Sequence, residues 1–421
     1  MRSVLWLPPL RAVVVCIFAG ALVTASASSS APRGVDLAVP GRANATASIA
    51  AAGRSVAVAW GASTPNGATD VYLATSTDGG QTFAAPVRVN DVDGDARLNG
   101  EQPPRIAMRE RDVTVVWTTK GAAGTTLLQA RSADGGRTFH KAAPIPGGDA
   151  AGNRGWENVT VDGDGRVFAV WLDHREMADA GVAATHHQHH AEGKPDGVAM
   201  AQKSKLYVAT LDGRVTPRAV TGGVCYCCKT AIAAGGDGAI YAAWRHVYPG
   251  NIRDIAFTQS RDGGRTFGAP IRVSEDKWVL EGCPDDGPAM VVDRASHVHV
   301  VWPTLVSENG TETTALFYAS SDDGRSFLAR QRVPTRGMPH HPQIAIGASG
   351  VPAIAWDEAD NGGRTAAMSR ISGGASSVRF AREVLGDAAV YPVLAFAGDA
   401  TVAAWTSGKG PASVIHVEVR R

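Results

Sequence analysis

The 421-residue chain carries 41 Lys and Arg against 40 Asp and Glu, a formal net charge of +1, with 44% hydrophobic residues and 48 glycines. Near-neutrality without a basic excess excludes a nucleic-acid binder or a binder of acidic membrane surfaces as the first reading, and the apolar fraction suits a large globular body. At this length two or three domains are the ordinary expectation, unless the chain repeats and closes into one toroid.

In chain order, the first segment has Arg2, an apolar run at 13–23 and the small-x-small pattern Ala25, Ser26, Ala27. This predicts an export signal over residues 1–27, cleaved near Ala27, and a mature protein of 28–421 that is periplasmic or secreted, with no stable membrane insertion. An uncleaved anchor is the alternative. Cys16 lies in the apolar run behind Val15, where lipid attachment would want a small residue, and leaves with the signal.

The rest of the chain repeats a pair of β-rich runs. The first runs are 47–51, 104–108, 157–161, 230–234, 288–292, 342–346 and 392–396; the second runs end in Trp60, Trp117, Trp171, Trp244, Trp302, Trp356 and Trp405. Each pair reads as an inner strand and its neighbour, followed by a third strand, a turn and an outer strand. In four units the turn fits Ser-x-Asp-x-Gly-x-x-Phe: Ser76, Asp78, Gly80, Phe83; Ser132, Asp134, Gly136, Phe139; Ser260, Asp262, Gly264, Phe267; and Ser320, Asp322, Gly324, Phe327. The hydroxyl and carboxylate accept backbone N–H groups, Gly supplies positive φ, and Phe pins the hairpin to its sheet. Degenerate turns are expected at 211–213 and 371–374, with the Ser and Asp lost. The last unit ends in a strand at 414–419 without an outer partner, and residues 35–39 supply one; pairing the two would close a ring and hide both edges.

These turns match the Asp-box, or BNR, repeat, and the chain resembles the sialidase-like β-propeller superfamily over nearly all of its mature length. The resemblance implies an all-β fold with one Asp-box β-propeller. The seven Trp units predict seven four-stranded blades, with six blades and an extra hairpin as the alternative, six being the number in known sialidases. The scaffold serves hydrolases, receptors and binding proteins alike, so it does not fix an activity.

Strand alternation puts the loop entering each inner strand and the loop leaving each Trp strand on one face, opposite the Asp boxes. The entering loops hold Arg105, Glu157, the group Cys225, Cys227 and Cys228, then Cys283, Asp285, Asp286, His340, His341 and Tyr391. The long insert after Trp171 adds His174, Met177, His186, His187, His189, His190 and Met200 on the same face. A central funnel binding a small-molecule or glycan ligand is therefore expected. Cys225, Cys227, Cys228 and Cys283 with His340, His341 and His174 make a candidate copper or zinc site. In an exported protein the four cysteines read equally as two disulfide bridges, and the His-rich insert as a solvated loop.

The family resemblance implies a second reading, an exo-acting sialidase-type glycosidase. It would use Tyr391 as nucleophile, Glu157 as its base, and Arg105, Arg245 and Arg253 as a carboxylate clamp, with Asp285 as a candidate acid/base residue. The pattern departs from the family, since Arg105 and Ile106 precede Ala107 rather than Pro, and lie in the second unit. Tyr391 also reads as an aromatic lining the axis.

Overall fold

The computed structural model describes residues 34–121, 124–178, 197–280, 284, 286–308, 310–374 and 377–420. The export segment, the histidines at 186–190, Cys283 and Asp285 lie outside the described residues. Among those described, no helix is long and apolar enough to cross a membrane.

Seven four-stranded antiparallel sheets follow one another along the chain, each running from an inner strand outward in sequence order. The inner strands are Ala43–Ala52, Arg105–Arg109, Arg154–Val161, Ala231–Ala234, Ala289–Val292, Met338–Ile346 and Ala389–Ala397. The seventh sheet takes its outer strand from the start of the chain: Val35–Leu37 pairs antiparallel with Val414–Arg420, Val35 opposite Val417. The expected seven blades and the closing strand are both present. Helix is confined to short segments such as Arg175–Ala178 and Gly197–Lys203.

The core is divided into wedges between neighbouring blades. Trp244 of blade 4 packs with Val170, Leu172 and Val208 of blade 3, and Trp302 of blade 5 packs with Ala243 and Phe257 of blade 4. Trp60 of blade 1 packs with Val402, Ala404 and Val417 of blade 7, the interface that closes the ring. All seven of these Trp side chains are buried. A Trp at this position fills the gap left by splayed sheets, which is why the second run of each unit ends in one.

Three Asp boxes form as expected. In the first, Ser76 Oγ accepts the Gly80 N–H at 2.9 Å, and Asp78 Oδ1 accepts the N–H groups of Gln81 and Thr82. Two turns differ from expectation. In the fourth box Ser321 Oγ accepts the Gly324 N–H at 3.0 Å and Asp323 Oδ1 accepts those of Arg325 and Ser326, so the working pair is one residue later than Ser320 and Asp322. The doubled Ser-Ser and Asp-Asp offer a second pair, and the turn is one residue shorter than the pattern implies. In blade 3 the box is altered rather than lost: Thr210 Oγ1 accepts the Val215 N–H at 2.8 Å and Asp212 Oδ1 accepts that of Arg214.

Four inner strands carry a β-bulge opposite the Trp of the second strand, with register breaks between Ala45 and Ser48, Gly155 and Asn158, His340 and Gln343, and Val390 and Val393. The first extra residue of each has positive φ: Thr46 at 58°, Trp156 at 53°, His341 at 50° and Tyr391 at 55°. For non-glycine residues this conformation is costly, and a bulge re-aims the side chain it carries.

Candidate functional site

Bulges in adjacent blades bring His341 and Tyr391 together, with ring centroids 4.4 Å apart. Asp357, directly after Trp356 on the neighbouring strand, sits 2.7 Å from His341 Nδ1, which leaves Nε2 facing Glu101 Oε1 at 3.9 Å. The Tyr391 N–H donates to Asp357 Oδ2 at 3.4 Å, and Arg364 Nη2 lies 3.1 Å from the same oxygen. Asp286 closes the other side: Oδ1 accepts the His341 N–H at 2.9 Å and Oδ2 lies 3.1 Å from His340 Nδ1. Lys229 spans this face, its Nζ donating to Pro342 O at 2.8 Å and its N–H to Glu101 Oε2 at 3.4 Å. Below lies an axial cavity of about 180 Å³ lined from all seven inner strands, by residues including Ser48, Arg105, Asn158, Ile232, Met290, Gln343 and Val393.

Burial sets the proton affinities here. It pushes the Glu101 carboxyl up to about 7, with Lys229 pulling the other way and Asp286 adding to the rise. Tyr391 is raised above its ordinary value by burial and by the charge of Asp357, so its hydroxyl keeps its proton. Burial disfavours the charged ring of His341, but the Asp357 hydrogen bond and the charge of Asp286 outweigh it and hold the imidazole above its usual value. Burial also opposes the Asp286 charge, and His340, His341 and Lys229 more than compensate, keeping that carboxyl low. Glu101 Oε1 is buried without a hydrogen-bond partner.

The cysteines form a second group. Donor atoms fall into two sets, Cys225 with Cys227 and Cys228, and Glu101 with Asp286 and His341. The mixed Cys and His centre expected from the sequence is therefore divided, because His340 and His341 turn toward carboxylates. His174 lies against Trp156, centroids 5.6 Å apart, at the end of strand Val167–Asp173. Cys225 and Cys228 are free thiols, with sulfurs 3.5 Å apart; Cys227 Sγ is 3.7 Å from Cys225 Sγ, and Cys227 is not a free thiol. Arg253 Nη1 donates to Cys225 Sγ at 3.3 Å. The Cys228 hydrogen bond, against the effect of burial and with help from Arg253 and Arg245, draws the Cys225 thiol down to about 6. Burial and the bond to Cys225 push Cys228 the other way.

The three arginines expected to clamp a carboxylate have different partners. Arg245 spends its donors on backbone carbonyls: Nε and Nη2 on Asp286 O, Nη1 on Arg253 O and Nη2 on Pro303 O, with its guanidinium over Trp278. Arg253 is divided between Cys225 and Asn251 Oδ1. Arg105 Nε donates to Glu157 O at 2.9 Å. Glu157 is fully buried, its Oε2 accepting the Thr118 hydroxyl at 3.0 Å. No hydrogen bond or ion pair among the described residues joins Glu157 to Tyr391, whose neighbours include Gly100, His341 and Asp357. Asp173 accepts hydrogen bonds from Trp171 Nε1 and Arg175 Nε.

Four site residues, Glu101, Lys229, Asp357 and Arg364, were not singled out from the sequence. Glu101 stands in a polar loop without a pattern, but Asp357 had a signal: directly after the Trp stand charged residues in blade 4, Arg245, and blade 6, Asp357, where the other blades have Gly61, Thr118, Leu172, Pro303 and Thr406.

No model of a protein family matches the chain, and no curated protein matches it. Among solved structures, an ulvan lyase of polysaccharide lyase family PL25 is similar over 92% of this chain and 95% of its own, with a TM-score of 0.57 at 9% identity. The polysaccharide lyase Uly1 is similar over 89% of both chains, with a TM-score of 0.54 at 10% identity. The intramolecular trans-sialidase of Ruminococcus gnavus is similar over 90% of this chain and 94% of its own, with a TM-score of 0.42 at 13% identity. At these identities the likeness is one of fold alone.

Proposed function

We propose that this chain is an exported propeller that takes an acidic glycan into its axial mouth, with Tyr391, His341 and Glu101 as its proton-transfer groups. The observation that carries the reading is the meeting of His341 and Tyr391 from two strained bulges, beside a buried carboxyl with one unpartnered oxygen. Strain of this kind is retained where the surrounding structure needs the side chain in that place. Tyr391, holding its proton, is suited to donate to a ligand oxygen rather than to attack as a phenolate. His341, oriented by Asp357, presents Nε2, and a carboxyl near 7 exchanges a proton at neutral pH.

Arg364 and Lys229 are the cations beside these groups, which favours an acidic sugar. A sialidase-type clamp by Arg105, Arg245 and Arg253 together has little support, since Arg245 is bonded to backbone carbonyls and Arg253 to Asn251 and Cys225, which leaves only Arg105, with a buried Nη2 free of hydrogen bonds, at the cavity. The similarity of fold to an ulvan lyase makes uronate polysaccharides the first compounds to test.

The test is a panel of uronate polysaccharides, ulvan included, and sialosides. New reducing ends and the absorbance of an unsaturated product are read separately, together with binding by calorimetry. Saturable binding or turnover of an acidic glycan, lost in His341→Asn and reduced in Tyr391→Phe, is expected. Neither binding nor turnover anywhere on the panel, or full retention in both variants, would overturn the proposal.

A further inference from the structure

The thiol group is not used by the axial site and stands on its own geometry. Cys225 and Cys228 are both buried, and their sulfurs are 3.5 Å apart in the loop that enters the inner strand of blade 4. Buried cysteines usually act as small apolar side chains. Here the surroundings differ, because Arg253 is itself 1% exposed and directs an N–H at the Cys225 sulfur, and Arg245 is fully buried behind it. A guanidinium taken out of water is costly, and a neutral thiol is a weak acceptor that does little to offset that cost, whereas a thiolate is a fitting partner.

We propose that Cys225 and Cys228 form a buried two-thiolate site for a soft monovalent ion, Cu(I). Two sulfurs on one two-coordinate ion at about 2.3 Å stand about 4.6 Å apart when collinear with it, and closer when the angle bends. Reaching that span from the observed 3.5 Å takes an opening of about 1 Å between the two side chains. Thiolates suit Cu(I), zinc and iron–sulfur clusters, and of these Cu(I) is the one content with two ligands. Charge and ligand number decide against zinc: two thiolates with Cu(I) keep one net negative charge beside Arg253 and Arg245, whereas with a dication they keep none to set against those guanidinium groups. A dication would also lack two ligands, since His340 and His341 are turned to Asp286 and Asp357. The site thus takes the copper part of the metal expected from the sequence and assigns it to sulfur alone.

The experiment uses the protein purified without a polyhistidine tag, reduced and kept anaerobic, and titrated with Cu(I) against bicinchoninate. One equivalent retained against the chelator is expected, together with a near-ultraviolet thiolate-to-copper absorption. Cys225→Ser and Cys228→Ser should each weaken binding at least tenfold, while Zn(II) in tenfold excess leaves the Cu(I) in place. Because a serine in this core can impair folding, the wild type gives a second reading: Cu(I) should protect Cys225 and Cys228 from alkylation, as located by peptide mass spectrometry. Loss of the ion to the chelator by the folded wild type, unchanged retention in both variants, displacement by zinc, or no protection of these two thiols would each overturn the assignment.

Discussion

Glu157 is a carboxyl with no route to water, and its behaviour with pH can be followed without knowing a substrate. Burial pushes it up to about 6 from an ordinary 4.5, against the pull of Arg105 and the Thr118 hydroxyl. The folded state therefore holds this proton more tightly than the unfolded chain. The resulting stability is fully present below pH 4.5 and is lost as the pH rises through 6. At about 1.4 kcal/mol per pH unit the span corresponds to about 2 kcal/mol. Glu101, raised to about 7, acts in the same direction over a wider window. His246 opposes both: burial lowers it to about 4, so its contribution is present above 6.5 and fades as the pH falls. The total profile is a poor witness, and the difference between variants is the useful one.

Glu157→Gln keeps the shape of the protonated acid and cannot ionise. In guanidinium unfolding from pH 4.5 to 7.5, the free-energy difference between Glu157→Gln and wild type should shift by about 2 kcal/mol in favour of the variant as the pH rises. Only the shift matters, because a constant offset from the altered hydrogen bond to Thr118 cancels. A difference that stays flat across this range would refute the account of Glu157 as a carboxyl held protonated by burial.

Gly100→Ala tests the position of Tyr391, since a Cβ there would lie 2.1 Å from Tyr391 Cε1 and 2.8 Å from its hydroxyl oxygen. The ring must withdraw by about 1 Å, and a displacement of that size costs on the order of 10²-fold in turnover of any glycan found to react, with the fold kept; unchanged kinetics would contradict the placement. Ser321→Ala should cost about 1 kcal/mol in unfolding experiments through the lost Gly324 N–H bond, and Asp322→Asn should leave the midpoint unchanged while Asp323→Asn lowers it. Leu37→Ala, in the strand that closes the ring, should destabilise by about 2–3 kcal/mol. Light scattering should also show self-association through the loosened edge at Val414–Arg420.

The ring was legible because its signals are local. A Trp at the end of each second strand and a Ser-x-Asp-x-Gly turn are short patterns whose physical jobs lie within a few residues, so counting them gives the blade number. The fourth box shows the limit even there, since Ser320 and Asp322 fit the pattern while the doubled Ser321 and Asp323, one residue closer to Gly324, make the bonds. Arg105, Arg245 and Arg253 show a different limit. A guanidinium near the axis has the same sequence whether it meets a ligand or a carbonyl, and which carbonyls stand free depends on how separate blades dock. Arg245 meets Asp286 O and Pro303 O, both supplied by the next blade.

That bonding ties the two groups of the axial face together mechanically. Arg245 holds the backbone of Asp286, whose carboxylate positions His340 and His341, and through Arg253 O it also fixes the residue that donates to Cys225. Its worth lies in precision more than in charge, because a carbonyl held by two N–H groups from one rigid fork cannot rotate freely. Lysine in its place would retain the charge and lose the fork. The bulges follow the same logic from the backbone side: Tyr391 and His341 occupy a costly conformation that strand pairing on both flanks enforces, so the two rings meet because the blades are fixed, and not because the rings attract each other.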